Sequence, residues 1–309
     1  MIYKIYFSLP NFKKPALLHK IINRIYLLIF KRFFSKSILN ELVLCKNAGA
    51  AGINYEKRDF VIDVSLTSFP ARIDEVHFTI ETIFNQSVKA DSITLWLTLY
   101  EFPDQKIPKS LELQKERGLK IEFVEDNLRS HLKYFYAFKS QKDNLVITLD
   151  DDEFYPKNTI SSLVLAHKKY PDAIVCNRGH KIIFKNGIVE KYKNWHHNYS
   201  SKKPSSLAVA TGVGGVLYPP NSYHQDIFDI SNLKKLCFFA DDMWLKIHTH
   251  RKETKVMALR TFSRDLINVG QTQNIKLVQH NSIEGGNDVQ FQNLLNYYQL
   301  ATNDFLDER

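Results

Sequence analysis

Between residues 60 and 149 the chain alternates apolar runs of strand length with helical patterns, and this alternation limits the fold more than any single motif. Strand-like runs fall at residues 60–66, 92–97, 119–124 and 144–149, and the spacing between them predicts helices over 73–85, 108–117 and 132–140. Val76, Ile80, Ile83 and Phe84 make the inner stripe of the first of these helices. The order β-α-β-α-β-α-β is that of a mostly parallel sheet flanked by helices, which places the chain in the α/β class. Val146, Ile147 and Leu149 read as a strand buried on both faces, as such a sheet requires.

That fourth strand breaks off directly into Asp150, Asp151, Asp152 and Glu153. Its carboxyl end is the edge where open α/β sheets hold ligands. Adjacent carboxylates about 4 Å apart repel by roughly 4 kcal/mol at an effective dielectric near 20. A cation belongs there, and a hard divalent metal with oxygen ligands suits the donor set. In extended geometry Asp150 and Asp152 point to one side and can hold an ion between them, with Asp151 facing the other way. The alternative is a solvated acidic turn. Pro156, a helix-start signal, and a predicted helix over 159–170 follow closely.

Further along, strands are expected at 173–177 and 181–184, with Lys185, Asn186 and Gly187 turning into 188–190. Residues 194–206 lack periodicity and are expected to form a mobile loop beside the site. Gly212, Gly214 and Gly215 then mark a bend that runs into an apolar strand, and residues 238–245 repeat the apolar-then-acidic theme at Asp241 and Asp242. No G-x-G-x-x-G follows the first strand, and the lysine of a phosphate-cradling P-loop is missing, so neither a dinucleotide fold of the usual kind nor an NTPase is indicated.

Charge separates two parts of the chain. Residues 1–59 hold eleven Lys/Arg against three Asp/Glu, while the remaining residues hold 31 against 30. The base is thus confined to the amino-terminal part, which argues against nucleic acid as a partner of the main domain. Residues 16–34 read as an amphipathic helix, with Leu18, Ile21, Ile22, Ile25, Leu28 and Ile29 on one stripe and Lys20, Arg24, Lys31 and Arg32 largely off it. Its longest uncharged run is too short to span a bilayer, and no cleavable signal is expected. The pattern fits a helix lying on an anionic membrane surface, or one packed on the main domain with a solvated basic face. The expected division is a basic segment and linker over 1–58 and one domain over 59–309. Cys45, Cys176 and Cys237 form neither a disulfide framework nor a metal motif, which favours a reducing compartment.

Five features in this order resemble a GT-A glycosyltransferase, near the inverting family-2-type group: the 64–73 stretch at the first strand end, Asp126 with Lys133, Asp150-x-Asp152, the Gly212–Gly215 bend, and Ala240-Asp241-Asp242. The resemblance covers residues 59–293 and departs after Asp242. It implies a GT-A-like, Rossmann-like fold that takes a nucleotide-sugar, in particular a UDP-sugar, with Mn²⁺ or Mg²⁺ as cofactor. By that resemblance Asp152 ligates the metal, Asp150 touches ribose or metal, and Asp151 is structural or binds through water. His280 stands where a late metal ligand is often placed. Thr67, Ser68, Arg72, Asp126 and Lys133 would contact the nucleotide. Asp242 or Asp241 would be the catalytic base, or an N-cap of the helix that follows. Gly214, Gly215 and Trp244 would meet the acceptor, although Trp244 equally suits a core. The implied acceptor is a glycan or lipid-linked glycan in surface-polysaccharide assembly, at the cytoplasmic face of the cell membrane. Two rivals stand beside this: a nucleotidyl- or phosphotransferase using the same acidic metal site, and a non-catalytic membrane-binding protein driven by residues 1–59.

Overall fold

The computed structural model describes residues 51–262, 265–269 and 285–306. The amphipathic pattern at 16–34 and His280 lie outside the described residues. In chain order the main elements begin β1 (Ile62–Thr67), α1 (Val76–Phe84), β2 (Ser92–Thr98), α2 (Lys109–Lys115), β3 (Leu119–Val124), α3 (Leu132–Ser140) and β4 (Leu145–Thr148). After the acidic run come β5 (Glu153–Phe154), α4 (Thr159–Lys169), β6 (Ile174–Cys176) and β7 (Gly179–Lys181). The hairpin β8 (Phe184–Lys185) and β9 (Ile188–Val189) precedes β10 (Ala208–Ala210) and β11 (Val216–Tyr218). The described chain closes with α5 (Ile230–Leu236), α6 (Asp241–His250), β12 (Val256–Ala258), β13 (Ile267–Asn268) and α7 (Gly286–Tyr297).

Seven strands form one sheet in the order β12-β6-β11-β4-β1-β2-β3. The neighbours β4-β1, β1-β2, β2-β3 and β12-β6 run parallel, and only β11 runs against its neighbours. The α/β expectation is met, with a mostly parallel sheet flanked by helices. Period-2 alternation explains how the sheet is held. Val146 joins the buried cluster with Phe135, Phe138 and Trp244, whereas Ile147 joins the opposite cluster with Ile62, Ile80 and Ile83. Val175 and Leu217 face that second cluster, while Cys176, Val216 and Tyr218 face the first. Each fully buried Val or Ile contributes roughly 1.5–3 kcal/mol, which is why strand runs here are apolar at successive positions rather than at alternate ones.

Some boundaries differ from expectation for local reasons. The fourth strand stops at Thr148, one residue earlier than expected, although Leu149 N–H still bonds Ser65 O on β1 before the bend at Asp151 and Asp152. The expected strand at 181–184 is split: Gly179–Lys181 pairs with β10, and Phe184–Lys185 opens the hairpin. Residues 194–206 are irregular, but they are tied down: Tyr199 N–H bonds Gly179 O, Ser201 N–H bonds Ala258 O, and His196 exchanges both backbone bonds with Lys181. Ahead of β1, Gly52 N–H bonds Arg117 O and Asn54 N–H bonds Ala90 O, so the chain already lies on the domain there.

Candidate active site

The sheet delivers β1 and β4 side by side and in parallel, so Ser68, just past the end of β1, lies beside the acidic run that follows β4. Ser68 Oγ donates to Asp151 Oδ2 at 2.6 Å, and Arg72 donates to Asp151 Oδ1 at 2.6 Å and reaches Asp152 Oδ2 at 3.0 Å. Thr79 Oγ1, on α1, donates to the Asp151 carbonyl at 2.8 Å. Asp151 and Asp152 therefore share one guanidinium. The expected extended alternation, with Asp150 and Asp152 on one side, is not followed because the chain bends at Asp151 and Asp152.

Asp150 takes a different cation. Lys133, in the first turn of α3, places Nζ 2.9 Å from Asp150 Oδ1 and 2.8 Å from Asp241 Oδ2. Its own carbonyl accepts a bond from Ser65 Oγ on β1, which anchors that turn to the sheet. A buried ammonium is costly unless paired, yet Lys133 is held charged: burial opposes the proton, and Asp150, Asp241 and Asp242 together raise its pKa well above the ordinary value. Tyr155, which sequence reasoning did not single out, accepts Asp150 N–H at 2.8 Å and fixes the bend from below.

The acidic pair at residue 241 is the start of α6. The N-cap is Ala240, with no side-chain capping bond, so the cap reading of Asp241 and Asp242 is overturned. Both lie in the first turn, where negative charge meets the positive end of the helix dipole, and both point to tertiary partners instead. Asp241 accepts from Ser130 Oγ at 2.9 Å and faces Lys133. Asp242 Oδ1 accepts from Gly212 N–H at 3.1 Å, and its second oxygen takes no hydrogen bond among the described residues. Burial alone would raise the Asp241 carboxyl, but Lys133 holds it below the ordinary carboxylate range. Burial, reinforced by the Asp241 charge, pushes Asp242 up to about 7.

Gly212 is required by close approach. A Cβ there would stand 2.7 Å from Lys133 Nζ and 3.0 Å from Asp150 Oδ1. Gly214 and Gly215 adopt φ of +89° and +92°, a region open to glycine and strained for other residues. A Cβ on Gly215 would meet the Leu149 side chain at 2.7 Å, so that residue faces the core and not an acceptor. Trp244 also calls for correction. It is fully buried, donates Nε1–H to Ile227 O at 3.1 Å and packs on His248, leaving no face for a sugar. Tyr192 lies within reach of the Asp242 charge, which, after burial, raises its hydroxyl pKa.

The remaining expected contacts form a separate corner. Thr67 Oγ1 donates to Trp96 O at 2.9 Å, Asp126 accepts from Tyr136 at 2.9 Å, and the Trp96 and Tyr136 rings stack at 5.4 Å. Asp126 and Lys133 make no ion pair with each other among the described residues, since Lys133 is turned to Asp150 and Asp241.

The charge balance of the cluster is informative. Asp150, Asp151, Asp152, Asp241 and Asp242 face two cations, Lys133 and Arg72. Burial, with Asp151 and Asp150 adding to it against the pull of Arg72, raises Asp152 to about 6. Asp150 and Asp152 each commit one oxygen to a cation, and the other takes no hydrogen bond among the described residues. Two free carboxylate oxygens at a partly open edge fit a hard divalent ion that completes its shell with water or phosphate oxygens. No group of three or more His, Cys, Asp or Glu side chains converges as a ready metal cage among the described residues.

No protein-family model and no curated protein sequence matches the chain. Among solved structures it is similar to 4-diphosphocytidyl-2C-methyl-D-erythritol synthase from Anaerococcus prevotii, at 13% identity over 75% of this chain and 96% of that one, with a TM-score of 0.40. Similarity to residues 1–349 of TarS from S. aureus gives 11% identity over 67% of this chain and a TM-score of 0.42; the chain spans 59% of that structure. An apo UDP-glucose pyrophosphorylase is matched at 12% identity, 78% of this chain, 99% of that one and a TM-score of 0.37. Likeness at TM-scores of 0.42 and below says nothing of what this chain binds or does.

Proposed function

We propose that this chain is a metal-dependent glycosyltransferase of GT-A type that moves a sugar from a nucleotide-sugar, in particular a UDP-sugar, to a glycan or lipid-linked acceptor with inversion. The observation that carries the reading is the bridge Asp150–Lys133–Asp241, which joins the acidic run after β4 to the acidic turn of α6 through one buried ammonium. A carboxylate edge for a metal diphosphate and a proton acceptor are thereby held in one frame.

Asp150 and Asp152 would hold Mn²⁺ or Mg²⁺ through their free oxygens. When bound, such an ion neutralises the charge that develops on a departing diphosphate. Asp242 is suited to be the base: one oxygen is fixed by Gly212, the other is open, and a pKa of about 7 matches proton transfer near neutral pH. Asp241 is not, since Ser130 and Lys133 occupy both its oxygens. The acceptor oxygen bonds to the anomeric carbon as the bond from that carbon to the diphosphate breaks, and the acceptor proton passes to Asp242. Arg72 keeps Asp151 and Asp152 in place. The basic charge of residues 1–59 supports work at the cytoplasmic face of an anionic membrane, on a surface-polysaccharide acceptor.

A donor-hydrolysis screen across nucleotide-sugars with Mn²⁺ tests the reading, repeated with Asp152→Asn and Asp242→Asn. The expected product is a nucleoside diphosphate. Asp152→Asn should lose metal-assisted donor binding, and Asp242→Asn should bind donor but not transfer. Release of pyrophosphate or a nucleoside monophosphate would make the chain a nucleotidyl- or phosphotransferase instead, and full turnover by Asp242→Asn would remove the base.

A further inference from the structure

A cleft at the glycine bend is lined by Asn177, Arg178, Asn198, Gly214, Arg260 and Asp265, among others. We propose that Arg178 and Arg260 form an oxyanion cradle that takes an anionic group, phosphate or carboxylate, carried by the acceptor. The proposal rests on the glycosyl-transfer reading above for the word acceptor; the cradle itself rests on geometry.

The sheet places the two arginines together. β6 and β12 are parallel partners with Cys176 opposite Ala258, and each arginine follows its strand by two residues at the carboxyl edge. Leu259 N–H bonds Cys176 O at 2.9 Å and Thr261 N–H bonds Asn177 O at 3.0 Å, so the pairing continues past both positions. Asn177 locks the frame with its full complement of bonds. Its amide donates to Thr159 O at 3.1 Å and Gly214 O at 2.9 Å, and its Oδ1 accepts from Ser162 at 2.6 Å and Thr261 at 2.5 Å. Arg260 is held at φ +51°, a conformation that non-glycine residues seldom adopt without outside support.

The charges in this frame are left open. Arg178 spends Nε–H on Asn198 Oδ1 at 2.9 Å and makes no ion pair among the described residues. Arg260 has neither a hydrogen bond nor an ion pair among them. With Asp265 as the single carboxylate among the described lining residues, those residues carry a net positive charge. Two guanidinium forks at a sheet edge match the planar, bidentate demand of carboxylate or phosphate. The location ties the cradle to the chemistry. Gly214 walls the cleft, and Gly212, two residues earlier, donates to Asp242, a chain distance of at most about 7 Å. The Tyr192 hydroxyl feels the charges of both Asp242 and Arg178, so the cradle and the proposed base share a neighbour.

The test uses the full chain, as wild type, Arg178→Gln, Arg260→Gln and the double variant, with thermal melts to confirm folding. Binding of n-octyl phosphate and of methyl β-glucuronide is followed by calorimetry, and nucleotide-sugar hydrolysis is measured in parallel. At least one probe should bind wild type and weaken tenfold or more in the double variant, while donor hydrolysis stays within twofold. Loss confined to the phosphate assigns a phosphorylated acceptor, and loss confined to the glucuronide assigns an acidic glycan. If neither probe binds, if both bind the double variant as well as wild type, or if hydrolysis falls in step with binding, the cradle is refuted. Absence of hydrolysis by wild type would refute the glycosyl-transfer reading alone, because the binding arm is independent of it.

Discussion

Replacing Lys133 with methionine keeps the length of the side chain and removes the one cation shared by Asp150 and Asp241. Breaking a buried ion pair by deleting one partner costs about 3–5 kcal/mol. Asp150 is 23% exposed, so its share is screened by solvent, and the lower end, about 3 kcal/mol, is the expected loss. At roughly 2–4 °C per kcal/mol for a domain of this size, the melting temperature should fall by about 6–12 °C at pH 8. The pH dependence carries the sharper test. In the native protein Asp241 is held below the ordinary carboxylate range, so its stabilising contribution is present above the unfolded pKa and is lost as pH falls through the folded one. Without Lys133 the buried Asp241 carboxylate has no counter-charge, and its pKa must rise. The deficit of Lys133→Met should therefore be largest at pH 8 and shrink toward pH 5 as the carboxyl takes up a proton. Adding Asp241→Asn should recover most of the loss at pH 8. Thermal melts of the two variants and wild type across pH 5–8 decide it. A deficit that is the same at both pH values, or a double variant no more stable than the single, would refute the view of Lys133 as a shared counter-ion.

Four further expectations concern the site and the core beside it. The Asp242 pKa of about 7 means that transfer should rise with pH through about 7 and level off, as the base must be ionised; a flat profile from pH 5.5 to 8.5 would exclude it. The folded pKa of that group lies above the unfolded one, so its ionisation lowers stability as pH rises, and Asp242→Asn should gain stability relative to wild type between pH 5 and 8. Gly212→Ala puts a methyl group 2.7 Å from Lys133 Nζ; overpacking of about 1–3 kcal/mol should lower both melting temperature and turnover, and an unchanged turnover would show the approach to be unimportant. Trp244→Ala should cost about 3–5 kcal/mol of stability, while Trp244→Phe should leave acceptor KM unchanged, because the indole is core and not a sugar platform.

The alternating elements were legible because each strand is buried on both faces and each helix on one, so periodicity reports them directly. Leu119–Val124 and Leu132–Ser140 match expectation at both ends. The short strands were harder. Gly179–Lys181 and Ala208–Ala210 are three-residue pieces whose pairing with each other depends on where the intervening hairpin and loop fold back, and no local period encodes that. At the site, residue types were readable but partners were not. The acidic run announces a cation, yet nothing in its vicinity says that Arg72 serves Asp151 and Asp152 while Lys133 serves Asp150.

The same limit applies to Trp244 and to the two arginines. Trp244 stands about 200° around α6 from Asp242, and α6 turns that face to the core beside Ile227. Arg178 and Arg260 lie more than eighty positions apart, each an ordinary basic residue in its own neighbourhood. Only the parallel pairing of β6 with β12 makes them neighbours, and only the fully bonded Asn177 keeps the two loops in register. Function at a sheet edge is assembled by strand order, and strand order is the property that a linear pattern encodes least. The test of that statement in this molecule is Asn177→Leu, which keeps the volume but leaves Ser162, Thr261 and the Gly214 carbonyl without their shared partner. Several buried polar groups lose a bond at about 1–3 kcal/mol each, so both arginine loops and the glycine bend should loosen together. Amide exchange should accelerate at Gly215 and at Thr261 alike; protection retained at either one would show that the sheet alone, without Asn177, holds the edge in place.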